Sequence, residues 1–287
     1  MGFARHHPCN VHNFKLNHSD VEHFVTLQGG RIYPYLAWAL FWSLYHLSWI
    51  IVEIYWAATD NLNDALFFIY LTNLGYILLV SFTWLDLAAV IYYILKTKKG
   101  ADMSSMPLLW KVNWVLYNTA MTTAILIVVI YWILLASSFG PGSINKHLIN
   151  GVIALLYVSF TAKPSRILHF YQPLIFAALY TIFSVIYFAA GGGNIYEVLD
   201  WSKAGEALAL TLPLILIAVP LVHLGVCGVY YARLEIWRKC FLNTDGSPTG
   251  GSQVRPRTDS EMGMVSTSRN GDQISTISNE LKKNGPL

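Results

Sequence analysis

Six long apolar stretches, at about residues 32–57, 67–95, 112–136, 147–161, 169–190 and 207–232, alternate with short polar segments along the chain. A helix needs about 20 mostly apolar residues to cross roughly 30 Å of hydrocarbon. Each stretch meets that length or comes close, the fourth being the shortest. The pattern predicts an all-α fold, a six-helix transmembrane bundle over residues 32–232, preceded by a His-rich leader (1–31) and followed by a tail (233–287). Composition agrees: of 287 residues, 55% are hydrophobic and 12% charged, where a soluble domain carries roughly a quarter.

Charge then orients the bundle. Lys and Arg fall in alternate gaps: Arg5, Lys15 and Arg31; Lys96, Lys98, Lys99 and Lys111; Lys163 and Arg166; Arg233, Arg238 and Lys239. The other gaps hold Lys146 and Lys203. Cytoplasmic loops retain such charges, so both N- and C-termini are expected to be cytoplasmic. The net charge of +3 reflects these loops and implies no nucleic-acid partner; the expected partners are membrane lipids and other membrane proteins. No cleavable signal peptide is evident, and the first span is expected to serve as the targeting signal.

The leader carries His6, His7, His12, His18, His23 and Cys9. Their spacing matches no compact zinc pattern, so no metal is assigned and a solvated polar leader is expected. The loops of the opposite face, about 58–66, 137–146 and 191–206, are too short for a folded ectodomain. The tail from 241, rich in Ser, Thr, Gly and Asn, has the composition of a disordered segment open to phosphorylation. Cys240, just past the last span, is a lipidation candidate; a plain reduced thiol is the simpler reading. Pro213 and Pro220 predict a kink in the last span, and Gly225 and Gly228 predict close helix approach there.

Ionisable side chains at membrane depth are few. His46 lies near the middle of the first span, Glu53 two turns further along, Asp86 near the inner end of the second, where it is expected to reach the interface, and His223 near the middle of the sixth. His46 and His223 form a candidate proton-sharing pair; the alternative is that each bonds to a neighbouring helix. Thr72 and Asn73 open the second span and His147 and Asn150 the fourth, both at the outer face. At the helical rise Thr72 lies roughly 8 Å below that surface. A hydroxyl beside an imidazole is the minimum kit for nucleophilic catalysis, and Asn73 or Asn150 supplies an orienting or oxyanion-binding amide. The plainer reading makes these residues helix-end packing and back-bonding groups. No motif calls for a cofactor.

Four segments carry a resemblance: Tyr70-Leu71-Thr72-Asn73; His147-x-x-Asn150-x-Val152; Leu168-His169-Phe170-Tyr171-Gln172-Pro173-Leu174; and Phe183-Ser184-x-Ile186-Tyr187-x-Ala189-Ala190-Gly191-Gly192. Over about residues 25–240 the chain resembles the rolling stone family, multi-pass membrane proteins named for an insect gene product implicated in myoblast fusion. It is more distantly similar to the androgen-induced and androgen-dependent membrane hydrolases, six-span threonine hydrolases of fatty acid esters of hydroxy fatty acids. Their Leu-Thr motif matches Leu71-Thr72, but their His-x-x-His pair reads His147-x-x-Asn150 here. His147 would have to serve as base from one turn away, about 5 Å along the axis.

Two functions follow from the resemblance. One is a non-catalytic membrane protein acting in cell fusion or muscle development, at the plasma membrane. The other is a lipid-ester hydrolase with Thr72 as nucleophile and His147 as base. A transporter is disfavoured by the lack of internal repeats.

Overall fold

The computed structural model describes residues 11–59, 64–100, 105–135 and 140–241. His6, His7, Cys9 and the tail beyond 241 lie outside these residues. Helices dominate, and no β-strand occurs among the described residues beyond two isolated bridges at Leu27. The helices are α1 (Ile32–Thr59), α2 (Leu71–Thr97), α3 (Leu108–Ile130), α4 (Asn150–Phe160), α5 (Tyr171–Tyr187), α6 (Ala204–Pro213) and α7 (Val219–Phe241). Helices α6 and α7 are joined by a π-turn, Leu214–Ala218, into one apolar rod. Five rods are long and apolar enough to span a membrane; the shorter one covers His147–Phe160. The chain is therefore a helical multi-pass membrane protein.

Local chemistry sets the boundaries. Tyr70 and Pro107 are extended, so α2 starts after Tyr70 and α3 after Pro107. The expected second span loses its first residues to a 3-10 turn, Asp64–Ile69. Pro213 and Pro220 bracket the Leu214–Ala218 π-turn. Proline has no N–H to offer its preceding turn, and a π-turn absorbs the register it disturbs.

Helix α3 is central, packing against α2, α4, α5 and α7. Its Trp110, Trp114, Tyr117 and Met121 are fully buried. Close approach to α3 comes at Gly75 of α2 and Gly151 of α4. An added Cβ would meet Ile127 Cδ1 at 2.7 Å at the first and Val128 Cγ2 at 2.5 Å at the second. Gly225 and Gly228, the expected positions, have nothing within 4 Å of such a carbon. They face away from the neighbouring helices. Large apolar side chains are left outside, among them Phe41, Leu179 and Leu216 at 58%, 61% and 61% exposure. In water such a surface would aggregate; in hydrocarbon it is the natural outer face.

The leader departs from expectation. Instead of a solvated segment, residues 11–31 fold onto the bundle, burying Val21, Phe24, Val25 and Thr26. Gln28 N–H donates to Phe160 O at 2.9 Å, and Ala162 N–H donates to Thr26 O at 2.9 Å. The Gly29 bend sits against Trp237 of α7. Leader and α7 terminus thus share one end of the bundle, called here the leader face.

Candidate functional site

Far from the leader, the residues singled out from sequence occupy the ends of α2 and α4. Thr72 is half-buried beside the Tyr196 phenol, which folds back from the loop after α5 and accepts Leu71 N–H at 3.0 Å. A helix start has free amides, and a phenol serves as acceptor for one of them here. Tyr180 reinforces the arrangement, donating to Ile69 O at 3.0 Å. Asn73 is buried, and its amide donates to Phe67 O at 2.9 Å. His147 is buried within the π-turn Asn145–Ile149, and its ring lies flat on Tyr131, centroids 3.5 Å apart and planes 4° apart. Asn150 is buried at the start of α4. Thr72 and His147 thus have different aromatic neighbours. The cleft lined by Leu71, Pro173, Phe176 and Val219 offers about 20 Å³, on the order of a single water.

One helix away, Tyr45 donates to Asn145 Oδ1 at 2.8 Å. His46 is fully buried next to Tyr76, whose hydroxyl lies 3.4 Å from His46 Nδ1 and 3.3 Å from the His46 carbonyl oxygen. Glu53 is buried on the same helix, at 4% exposure. His223 is elsewhere. Its Nε2 lies 3.0 Å from Arg166 O and its Nδ1 3.0 Å from Thr122 Oγ1. A carbonyl only accepts, so Nε2 carries a proton, and Nδ1 meets the threonine hydroxyl: both ring nitrogens are engaged. His46 and His223 do not pair; each bonds to a neighbouring segment, the favoured alternative, His46 facing Tyr76 of α2 and His223 facing Thr122 of α3 and Arg166 O. Cys240 is an exposed free thiol.

The most heavily bonded polar cluster was not singled out from sequence. Asp86, expected at the interface, is fully buried, and so is Lys163, read as a loop charge. The Lys163 ammonium donates to Asp86 Oδ1, to Asn113 Oδ1 at 2.9 Å and to Phe24 O at 2.8 Å. Tyr35 donates to the other Asp86 oxygen at 2.7 Å. All three ammonium protons have acceptors, from α2, α3 and the leader. Burial lowers the Lys163 pKa, and the adjacent carboxylate opposes that shift. Arg233 of α7 donates to Val158 O at 2.7 Å, Thr161 O and Lys163 O, supplying donors to the free carbonyls at the end of α4. Arg166, its guanidinium 4.6 Å above the Trp114 ring, donates to Lys15 O and Asn17 O at 2.8 Å each. Asn118 bridges His169 Nδ1 and Gln172 Oε1 at 3.1 and 3.0 Å.

The model of the family described as "Protein rolling stone" matches residues 10–242. That span takes in every described residue, the folded leader included. The chain belongs to the rolling stone family. It is similar to Protein rolling stone of Drosophila melanogaster, 28% identical over 193 residues, a match covering 60% of this chain and 66% of the Drosophila protein's length, just under two thirds. No solved structure matches this chain.

For a rolling stone family member, all four motif segments carry packing contacts, the second through His147 on Tyr131. Tyr70-Leu71-Thr72-Asn73 meets Tyr196; His169 and Gln172 of the third segment share Asn118; Ser184 of the fourth accepts Trp201 Nε1–H at 3.2 Å. Asp86 and Lys163 carried a sequence signal as well: an isolated acid inside an apolar span asks for a cation partner.

Proposed function

We propose that this rolling stone family protein is a non-catalytic component of cell fusion or muscle development at the plasma membrane, acting within the bilayer through lipids or other membrane proteins. The reading draws on the family resemblance, and one observation carries its non-catalytic part. The His147 imidazole is stacked flat on Tyr131, while Thr72 lies beside the Tyr196 phenol. A general base must reach its nucleophile directly or through one water; the aromatic contacts of both side chains favour a packing role for them.

The test separates packing from catalysis in one experiment. Myoblasts lacking the protein receive wild type, Thr72→Val or His147→Phe, and both fusion index and labelling by a serine/threonine-hydrolase probe are measured. Restoration of fusion by all three, without labelling, is the expected outcome. Probe labelling of wild type that disappears in both variants would instead establish the threonine hydrolase, with Thr72 as nucleophile and His147 as base.

A further inference from the structure

The cations of this protein fall into two groups. Lys163, Arg166 and Arg233 are spent on acceptors within the fold, and Arg238 and Lys239 share the Glu235 carboxylate at 2.6 and 3.3 Å. Lys96, Lys98, Lys99 and Lys111, around the turn between α2 and α3, form no ion pair among the described residues. Residues 96–111 hold these four lysines and a single acid, Asp102. The carbonyl end of α2 supplies the equivalent of about half a negative charge, which leaves most of the surplus unanswered.

Two ring contacts gather these charges. Lys96 Nζ stands 5.4 Å from the centre of the Tyr92 ring, and that ring meets the fully buried Trp110 edge-on, centroids 5.4 Å apart. Trp110 immediately precedes Lys111, so the end of α2 and the first turn of α3 are joined next to the lysines. Gly100, at φ +68°, takes the left-handed conformation just past α2. Lys96, Lys98 and Lys99 are exposed before it, and Lys111 is half-buried. Beside them Leu95, Leu108 and Val112 are 56%, 74% and 43% exposed. Apolar side chains so open face hydrocarbon in a membrane protein, and lysines bordering them emerge at the depth of lipid headgroups.

We propose that the α2–α3 turn binds the headgroup of an inositol phospholipid carrying several phosphates. The unpaired lysines select an anion, and their border with exposed leucines selects one that already sits at the membrane surface. A headgroup with one negative charge answers one lysine; a multiply phosphorylated one answers several at once and is immobilised only once. The charge asymmetry along the sequence assigns this turn to the cytoplasmic leaflet, where such lipids attract juxtamembrane lysine clusters. This goes beyond the fusion role proposed above and does not rest on it.

The test places the full chain in phosphatidylcholine nanodiscs containing phosphatidylinositol bisphosphate or phosphatidylserine at matched total headgroup charge. Lipid retained by the protein is then counted by native mass spectrometry. Wild type should keep the bisphosphate lipid at least about fivefold better than phosphatidylserine, the gain from one further lysine engaged. Lys98→Gln with Lys99→Gln should weaken that retention roughly 25-fold, about fivefold for each lysine. Arg238→Gln with Lys239→Gln removes the same charge from residues already paired with Glu235, and should leave retention unchanged. Equal retention of the two lipids by wild type, no loss in the lysine pair, or an equal loss in the Arg238 and Lys239 pair overturns the proposal. Displacement of the lipid by an equal concentration of free inositol trisphosphate would make the ligand a soluble phosphate and overturn the lipid assignment.

Discussion

The two ends of the bundle handle buried polarity differently. On the leader face, charged groups are buried outright, and each meets two or more partners. Lys163 has three acceptors, Asp86 receives two donors, and Arg233 reaches three carbonyls. At the far end, most of the groups are neutral, and beside short bonds such as Tyr45 to Asn145 at 2.8 Å stand longer or aromatic contacts: Tyr76 to His46 at 3.3–3.4 Å, His147 on Tyr131, Thr72 by Tyr196. The difference follows from cost. An uncompensated buried charge is far more expensive than an imperfectly paired amide or phenol. Full coordination is therefore a condition for burying Lys163 and Asp86, while the far-end groups tolerate looser geometry.

That contrast predicts unequal responses to substitution. Asp86→Asn leaves the Lys163 ammonium buried without its counter-ion, and should cost about 3–5 kcal/mol, seen as a large fall in melting temperature in detergent. Adding Lys163→Met should recover part of the loss, since the pair is coupled. If Asp86→Asn melts like wild type, the leader face is not the stricter end.

Acid should loosen the leader before it disturbs the far end. Burial holds the His18 pKa at about 4, below its usual 6.5, helped by the positive charges of His23 and Arg166 and opposed by the Asp20 carbonyl. A base with a depressed folded-state value takes up a proton on unfolding. Its contribution is complete above about pH 6.5 and is lost as pH falls toward about 4. Hydrogen exchange over residues 18–28, corrected for the intrinsic pH effect, should accelerate between pH 6.5 and 4.5, with exchange at the start of α2 unchanged.

The smallest effect should come from Tyr196→Phe. It removes the acceptor for Leu71 N–H and should cost about 1 kcal/mol, with faster exchange of that amide as the local signature. A loss as large as that of Asp86→Asn would erase the distinction between the two ends.

How much of this could be read from sequence depended on what each signal measures. Apolar length reports directly on hydrocarbon thickness, so the helical bundle was legible. Helix starts were less so, because the turn at Asp64–Ile69 and the extended Tyr70 are as apolar as a span. Counting Lys and Arg by gap assigns a side but no depth, and Lys163 was therefore read as a loop charge although it is fully buried. The leader's polar composition concealed Val21, Phe24 and Val25, three apolar residues in the short stretch that docks. His46 and His223 share a depth in sequence, but depth does not specify which helix a side chain faces. Thr72 and His147 were legible as neighbours in leaflet; their aromatic partners come from Tyr196 and Tyr131, which no spacing rule connects to them.

The clasp at Lys163 also bears on biosynthesis. The ribosome delivers Phe24, Tyr35, Asp86 and Asn113 first, and for the next fifty residues of translation the Asp86 carboxylate has no cation to meet. Tyr35 can already bond to Asp86, but only when the segment after α4 emerges can Lys163 tie the leader and α3 to that carboxylate. A nascent chain halted before residue 163 would present an unpaired acid within the membrane, a ready mark by which quality control can tell an unfinished protein from a completed one.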